Sequence, residues 1–143
     1  MLIGSYRHAI DEKGRVFIPA KWRDELQGGF ILTRGTSGCI FGLPFREWES
    51  LMSKLATLPL SDRRAQNIQR NLTRWANECE SDKQGRVVIP PRLRELAEIR
   101  EETELIGMNN HFEMWDPGVL DALDQQQGQD YDASLAAAAE LGI

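Results

Sequence analysis

The chain has 143 residues and a formal net charge of −5, with 27% charged against 41% hydrophobic residues. That length suits one domain or two interlocked half-domains. No apolar run approaches the ~20 residues of a membrane span and the N-terminus lacks a signal-peptide layout, so a cytoplasmic protein without membrane contact is expected.

The charge is unevenly spread. All 17 Lys and Arg lie at or before Arg100, beside 12 acids, a balance of +5; residues 101–143 hold the other 10 acids and no Lys or Arg, a balance of −10. Such asymmetry suggests a basic working face with an acidic tail kept away from it. Cys39 and Cys79 have no Cys or His at metal-ligand spacing, so no zinc site is expected. Nor is a disulfide expected in a cytosolic chain.

In chain order, Ile3 to Ile10 can form a strand with Tyr6 and His8 on one face and Arg7 on the other. Asp11 to Gly14 is a turn, because Asp can accept backbone N–H groups two residues on and Gly permits a positive φ. Arg15 to Ile18 resumes as strand. The whole is expected as a β-hairpin-like element carrying Lys13 and Arg15 at its tip and exit. Pro19 stops the strand and suits the start of a short helix, Ala20 to Leu26, which Gln27-Gly28-Gly29 breaks. Phe30–Thr33 and Cys39–Leu43 are strands around a loop at Gly35–Gly38. Pro44 then opens a helix whose Trp48, Leu51, Met52 and Leu55 form a core-facing stripe.

From Ser61 to Glu80 the spacing predicts a second helix, capped by Ser61, with Asp62 favourable at its N-terminus. Ile68, Leu72, Trp75 and Cys79 would form its buried stripe, leaving Arg63, Arg70 and Arg74 largely elsewhere. It suits a solvated linker, or a subunit or phosphate contact. Glu104–Met108 and His111–Trp115 are strands, and Asp116-Pro117 starts a last helix. Gln125–Asp132 is polar and turn-rich. Ser134–Leu141 is an Ala-rich short helix, marginal by itself, in a tail expected to be peripheral and disordered.

The chain also repeats itself. Asp11-Glu12-Lys13-Gly14-Arg15-Val16-Phe17-Ile18-Pro19 recurs, without gap or insertion, as Asp82-Lys83-Gln84-Gly85-Arg86-Val87-Val88-Ile89-Pro90. The segments after each copy are parallel too, from Pro19–Leu26 against Pro90–Ala97 through to Trp48 and Leu51 against Leu120 and Leu123. A duplicated unit of about 50 residues is small for an independent core. The chain therefore divides into repeat 1 (4–58), a linker helix (59–80), repeat 2 (81–124) and an acidic, Ala-rich tail (125–143), with one core shared by the repeats.

Catalytic signatures are missing. No GxxxxGK[ST], no strand-linked GxGxxG and no Gly-x-Ser-x-Gly elbow occurs. Cys39 sits in apolar strand sequence with no nearby His, which argues against a nucleophile. Asp11 and Asp82 each precede an Arg by four residues within a turn, the position of a turn-fixing, Arg-orienting carboxylate rather than a general base. Each turn can offer cations to phosphates and an Arg fork to a guanine edge. The residues alone therefore describe a basic β-turn module with a capacity for nucleic acid.

Two copies of D-x-x-G-R-V-x-I-P, each containing Asp-x-x-x-Arg, resemble the MraZ family of bacterial transcriptional regulators, built from paired SpoVT–AbrB-type repeats. The resemblance spans about Gly4 to Leu123 and includes Tyr6, His8, Ile18-Pro19 and Arg23. It implies an α+β, mainly β fold: a swapped-hairpin β-barrel made by the two repeats, with flanking helices. Interlocking would satisfy strand edges that either half would expose.

The resemblance also implies a ring-shaped homo-oligomer that binds direct repeats in the promoter of the division and cell-wall gene cluster, including its own gene, as a repressor at the nucleoid. No enzyme activity, cofactor, metal or small-molecule effector is implied. The implied DNA-binding residues are Asp11, Lys13, Gly14, Arg15, Asp82, Lys83, Gly85 and Arg86, with Arg7, Lys21 and Arg23 as secondary phosphate contacts. Gln84 stands where the first copy has Lys13, which favours the first loop. Two other readings are an AbrB-like antitoxin whose acidic tail wraps a toxin, and a scaffolding ring.

Overall fold

The computed structural model describes residues 1–127 and 130–142. The chain is α+β, with antiparallel sheets and five helices among the described residues. In order, its elements are β1 (Ser5–Ala9), β2 (Arg15–Phe17), a 3-10 turn (Ala20–Trp22), β3 (Phe30–Arg34), β4 (Ile40–Pro44), α1 (Phe45–Ala56) and α2 (Arg63–Arg74). Then follow β5 (Asn77–Cys79), β6 (Arg86–Val88), α3 (Pro91–Leu96), β7 (Glu102–Gly107), β8 (Phe112–Trp115), α4 (Pro117–Gln127), α5 (Asp130–Ala137) and a 3-10 turn (Ala138–Leu141).

Strands of the two copies exchange partners. The six-stranded sheet runs β1-β7-β8-β4-β3-β5, and β2 pairs only with β6. Thus β1 of the first copy pairs with β7 of the second, while β5, a strand where the linker helix was expected to continue, leads into the second copy and pairs with β3 of the first. Val16 faces Val87, and Phe41 faces Glu113. In both pairings a residue lies opposite its own counterpart in the other copy, so a pseudo-twofold axis passes through both.

The expected hairpin of β1 with β2 is therefore not formed. Two backbone bonds close that turn, Asp11 N–H to the Arg15 carbonyl and Gly14 N–H to the Asp11 carbonyl, both at 3.0 Å, and both strands find their ladders in the other copy. The described strands do not close into a barrel: β1 and β5 are open edges, and the β2–β6 ladder is a separate sheet.

The core explains the exchange. Val16, Ile18 and Trp22 are buried with Val87, Ile89 and Leu93, their counterparts in the second copy. The Trp22 ring lies 5.4 Å from Phe112, whose ring also meets Phe30 at 5.8 Å. Phe112 closes over Gly42 so tightly that a Cβ there would stand 2.1 Å from its Cζ. Both copies contribute to this one cluster, as expected where a unit of about 50 residues is small for a core of its own. A smaller cluster of Cys39, Trp115 and Leu120 seats α4, whose cap is the expected Asp116, accepting from Val119 N–H at 3.1 Å.

Several local expectations are corrected. The helix after Pro19 shrinks to a 3-10 turn, whereas its counterpart α3 has Pro at its start. Pro44 is the cap of α1 rather than its first residue. The α1 stripe is only half-buried at Trp48, Leu51 and Met52, with Leu55 buried.

The second helix starts with Asp62 as cap, not Ser61, because its carboxylate reaches the N–H of Arg64 (2.9 Å) and Ala65 (3.1 Å). It buries Ala65, leaves Ile68 exposed, and stops at Arg74. Thr33 Oγ1 donates to the Leu72 carbonyl at 2.6 Å, and the chain turns into β5, so Cys79 belongs to a strand. The tail is helical from Asp130, with exposed side chains throughout α5. The turn expected over Gln125–Asp132 includes Gly128 and Gln129, which lie outside the described residues. No helix among the described residues is long and apolar enough to cross a membrane.

Candidate nucleic-acid interface

Each Asp loop is built by its carboxylate. Asp11 Oδ1 accepts the N–H groups of Lys13 and Arg15, both at 2.9 Å, and Asp11 Oδ2 accepts Arg15 Nε at 2.6 Å. The second loop repeats this: Asp82 Oδ1 takes Gln84 N–H (2.9 Å) and Arg86 N–H (2.8 Å), and Oδ2 takes Arg86 Nε at 2.9 Å. The Arg15 backbone N–H, more than any other contact, holds the Asp11 carboxyl below its ordinary range, helped by the guanidinium. Arg86 does the same for Asp82. Both aspartates brace their loops, as their position in the turn suggested.

Bracing does not use up the arginines. Nε is the bound edge, while the Nη groups of Arg15 and Arg86 have no hydrogen-bond partner among the described residues. The register aligns Arg15 with Val88 and Phe17 with Arg86. Strand alternation therefore puts Arg15, Phe17, Arg86 and Val88 on one face and the buried Val16 and Val87 on the other. Phe17 and Val88 remain about half exposed, at 45% and 50%. The β2–β6 ladder thus brings one arginine from each copy onto one outward face.

Lys13, Lys21 and Lys83 are exposed and form no ion pair among the described residues. Arg92, the counterpart of Lys21, lies instead over the Trp75 ring at 4.4 Å. Arg7 is engaged: Nη2 meets Glu104 Oε1 at 2.8 Å across β1–β7. That bond raises the Arg7 pKa further and is the main cause holding Glu104 low. Gly14 and Gly85 are buried with φ of +78° and +83°, so they shape the loops. Behind them lie Arg94 and Arg23. Arg94 was missed in sequence, although it stands in the second copy where Arg23 stands in the first.

No alternative chemistry gathers elsewhere among the described residues. Cys39 and Cys79 are free thiols whose burial pushes them up to about 12 and about 11, so both stay protonated and unreactive. No group of three or more His, Cys, Asp or Glu among the described residues could hold a metal.

Comparison with known proteins agrees with the duplication. The family model described as "MraZ protein, putative antitoxin-like" matches twice, over residues 1–71 and 72–141. A transcriptional regulator MraZ of Halothermothrix orenii is 42% identical, covering 100% of both chains. One from Caldicellulosiruptor bescii is 48% identical over 80% of each chain. One from Ligilactobacillus salivarius is 41% identical over 92% of each.

Proposed function

The chain belongs to the MraZ family, and on that premise we propose that it is a sequence-specific, DNA-binding transcriptional regulator and not an enzyme. The observation that carries this is the β2–β6 ladder, which sets Arg15 and Arg86 diagonally across one outward face with their Nη edges open. A two-stranded ribbon of this kind fits the major groove, where an Arg fork reads the O6 and N7 of guanine. Lys13 and Lys83 supply phosphate contacts from the loop tips, and Lys21 a flanking one. Asp11, Asp82, Gly14 and Gly85 act by holding the loops. Arg7 contributes little, because Glu104 already occupies it.

The strand exchange between repeats supports a swapped-hairpin relation of the two repeats, with the division 4–58, 59–80, 81–124 and 125–143 changed only in that β5 (Asn77–Cys79) passes from the linker to the second repeat. The protein assembles as a homo-oligomeric ring. Leu58, Leu60 and Ile68, exposed at 41%, 87% and 49% around the α1–α2 connection, give such an assembly apolar surface to bury. A ring presenting several weak ribbons to successive direct repeats gains avidity without new contacts. This explains how a net acidic chain holds an acidic polymer. It represses by covering the promoter of the division and cell-wall cluster, its own gene included, and works in the cytoplasm at the nucleoid.

DNase I footprinting of the region upstream of the protein's own gene tests this. Protection over evenly spaced direct repeats is expected. An unprotected region, with an intact oligomer by light scattering, would favour a scaffold.

A further inference from the structure

Each Asp loop is backed by an arginine from the opposite repeat. Gly14, in the first loop, would carry a Cβ only 3.1 Å from Arg94 Nη1. Gly85, in the second, would carry one 2.4 Å from Arg23 Cζ and 2.5 Å from its Nη2. These glycines therefore do two things: they allow the left-handed turn, and they leave room for a guanidinium against the loop backbone. We propose that Arg94 and Arg23 are crossed positioning residues: the second repeat's Arg94 sets the Asp11–Arg15 loop, and the first repeat's Arg23 sets the Asp82–Arg86 loop.

Both guanidinia are anchored on carbonyls of their own repeat. Arg94 Nη2 donates to the Arg100 carbonyl at 2.8 Å and Nε to the Ile99 carbonyl at 3.4 Å; Arg23 Nε donates to the Ile18 carbonyl at 3.3 Å. Neither arginine pairs with a carboxylate among the described residues, so neither anchor is an ion pair.

The loop backbones are also pinned across the repeats. Ile89 N–H donates to the Gly14 carbonyl at 3.0 Å and Ile18 N–H to the Gly85 carbonyl at 2.9 Å. Each loop thus has a backbone bond and a planar cation from the other repeat. A flat guanidinium fits against a glycine face where a tetrahedral ammonium does not, so charge alone cannot replace it. Arg94 has two carbonyl anchors and is partly buried, whereas Arg23 has one and is exposed. The first loop is therefore the more firmly set.

The consequence for binding rests on the DNA-binding function proposed for these loops, but the packing is testable without DNA. Hydrogen–deuterium exchange by mass spectrometry on the full-length oligomer compares wild type, Arg94→Lys and Arg23→Lys. Arg94→Lys should speed exchange in peptides covering Asp11–Val16 and leave those over Asp82–Val87 unchanged; Arg23→Lys should do the reverse. Because Arg23 is exposed, its variant decides the matter if Arg94→Lys loosens the whole fold.

Anisotropy titrations on the upstream DNA follow. Arg94→Lys should weaken binding roughly tenfold, with an unchanged salt slope, and should be non-additive with Arg15→Ala but additive with Arg86→Ala. Exchange unchanged in the opposite loop would overturn the proposal. So would Lys variants that bind as wild type, or Ala variants whose salt slope falls by about one, the mark of a direct phosphate contact. Crossed exchange in a wild type that binds no DNA would uphold the packing and overturn the DNA-binding function instead.

Discussion

Arg15 Nε donates to Asp11 Oδ2 at 2.6 Å, and Arg86 Nε to Asp82 Oδ2 at 2.9 Å. The same carboxylates hold two backbone N–H groups each, so each aspartate fixes at once the shape of its loop and the edge its arginine turns outward. The acid in Asp-x-x-x-Arg is the mould for the base.

Asp11→Ala should therefore weaken DNA binding about as much as loss of the arginine, roughly tenfold or more, although Asp11 repels phosphate by charge. Anisotropy titration checks this. An unchanged or improved affinity would mean that the carboxylate does not orient Arg15.

The depressed Asp11, Asp82 and Glu104 carboxyls give a pH dependence of stated sign. Their folded values lie below the unfolded ones of about 4, so their contribution is whole above that pH and is lost as pH falls through the folded values. Urea midpoints should drop below about pH 4, and Asp11→Asn/Asp82→Asn should flatten the drop. His111 adds a separate step. Burial lowers its pKa, so its share is present above about pH 6.5 and declines as pH falls; His111→Gln should remove that slope.

Gly42 lies beneath the Phe112 ring, with no room for a Cβ. Gly42→Ala should cost about 1–3 kcal/mol by overpacking. The cost should shrink in a Phe112→Leu background, since the two sites touch. Urea unfolding of the double-mutant cycle measures the difference.

Trp22 and Leu93 are counterparts within one buried cluster. Trp22→Ala should cost about 3–5 kcal/mol and Leu93→Ala about 2–5 kcal/mol. Each should lower one common transition rather than unfold its own repeat. Fluorescence and circular dichroism should give coincident curves; two separate transitions would mean independent halves.

Local chemistry was legible wherever it was decided locally. The Asp-turn bond pattern, the Asp116 cap and the two-sided strand at Tyr6, Arg7 and His8 all followed from short-range residue preferences. So did the strands at Phe30 and Ile40, and the doubled motif already carried the axis that pairs Val16 with Val87.

Features decided by distant partners were not. Asn77-Glu78-Cys79 has little strand character, and becomes β5 only because β3 offers an open edge to Cys79, Glu78 and Asn77. Ile68 fitted an apolar helical stripe, but the phase of α2 is set by Ala65 packing and by Thr33 holding Leu72. The hairpin at Asp11 had correct turn chemistry yet no β1–β2 ladder, because the other copy supplies both partners. Arg7 had the composition of a phosphate contact, and only the β1–β7 register reveals Glu104 beside it.

DNA binding by the paired arginine loops is tested most directly by fluorescence anisotropy on DNA from just upstream of the protein's own gene, with wild type and Arg15→Ala at two salt concentrations. Wild-type binding should weaken steeply with salt and fall by roughly tenfold or more in the variant while the oligomer stays intact. Equal binding by Arg15→Ala, or none by a folded wild type, would refute it.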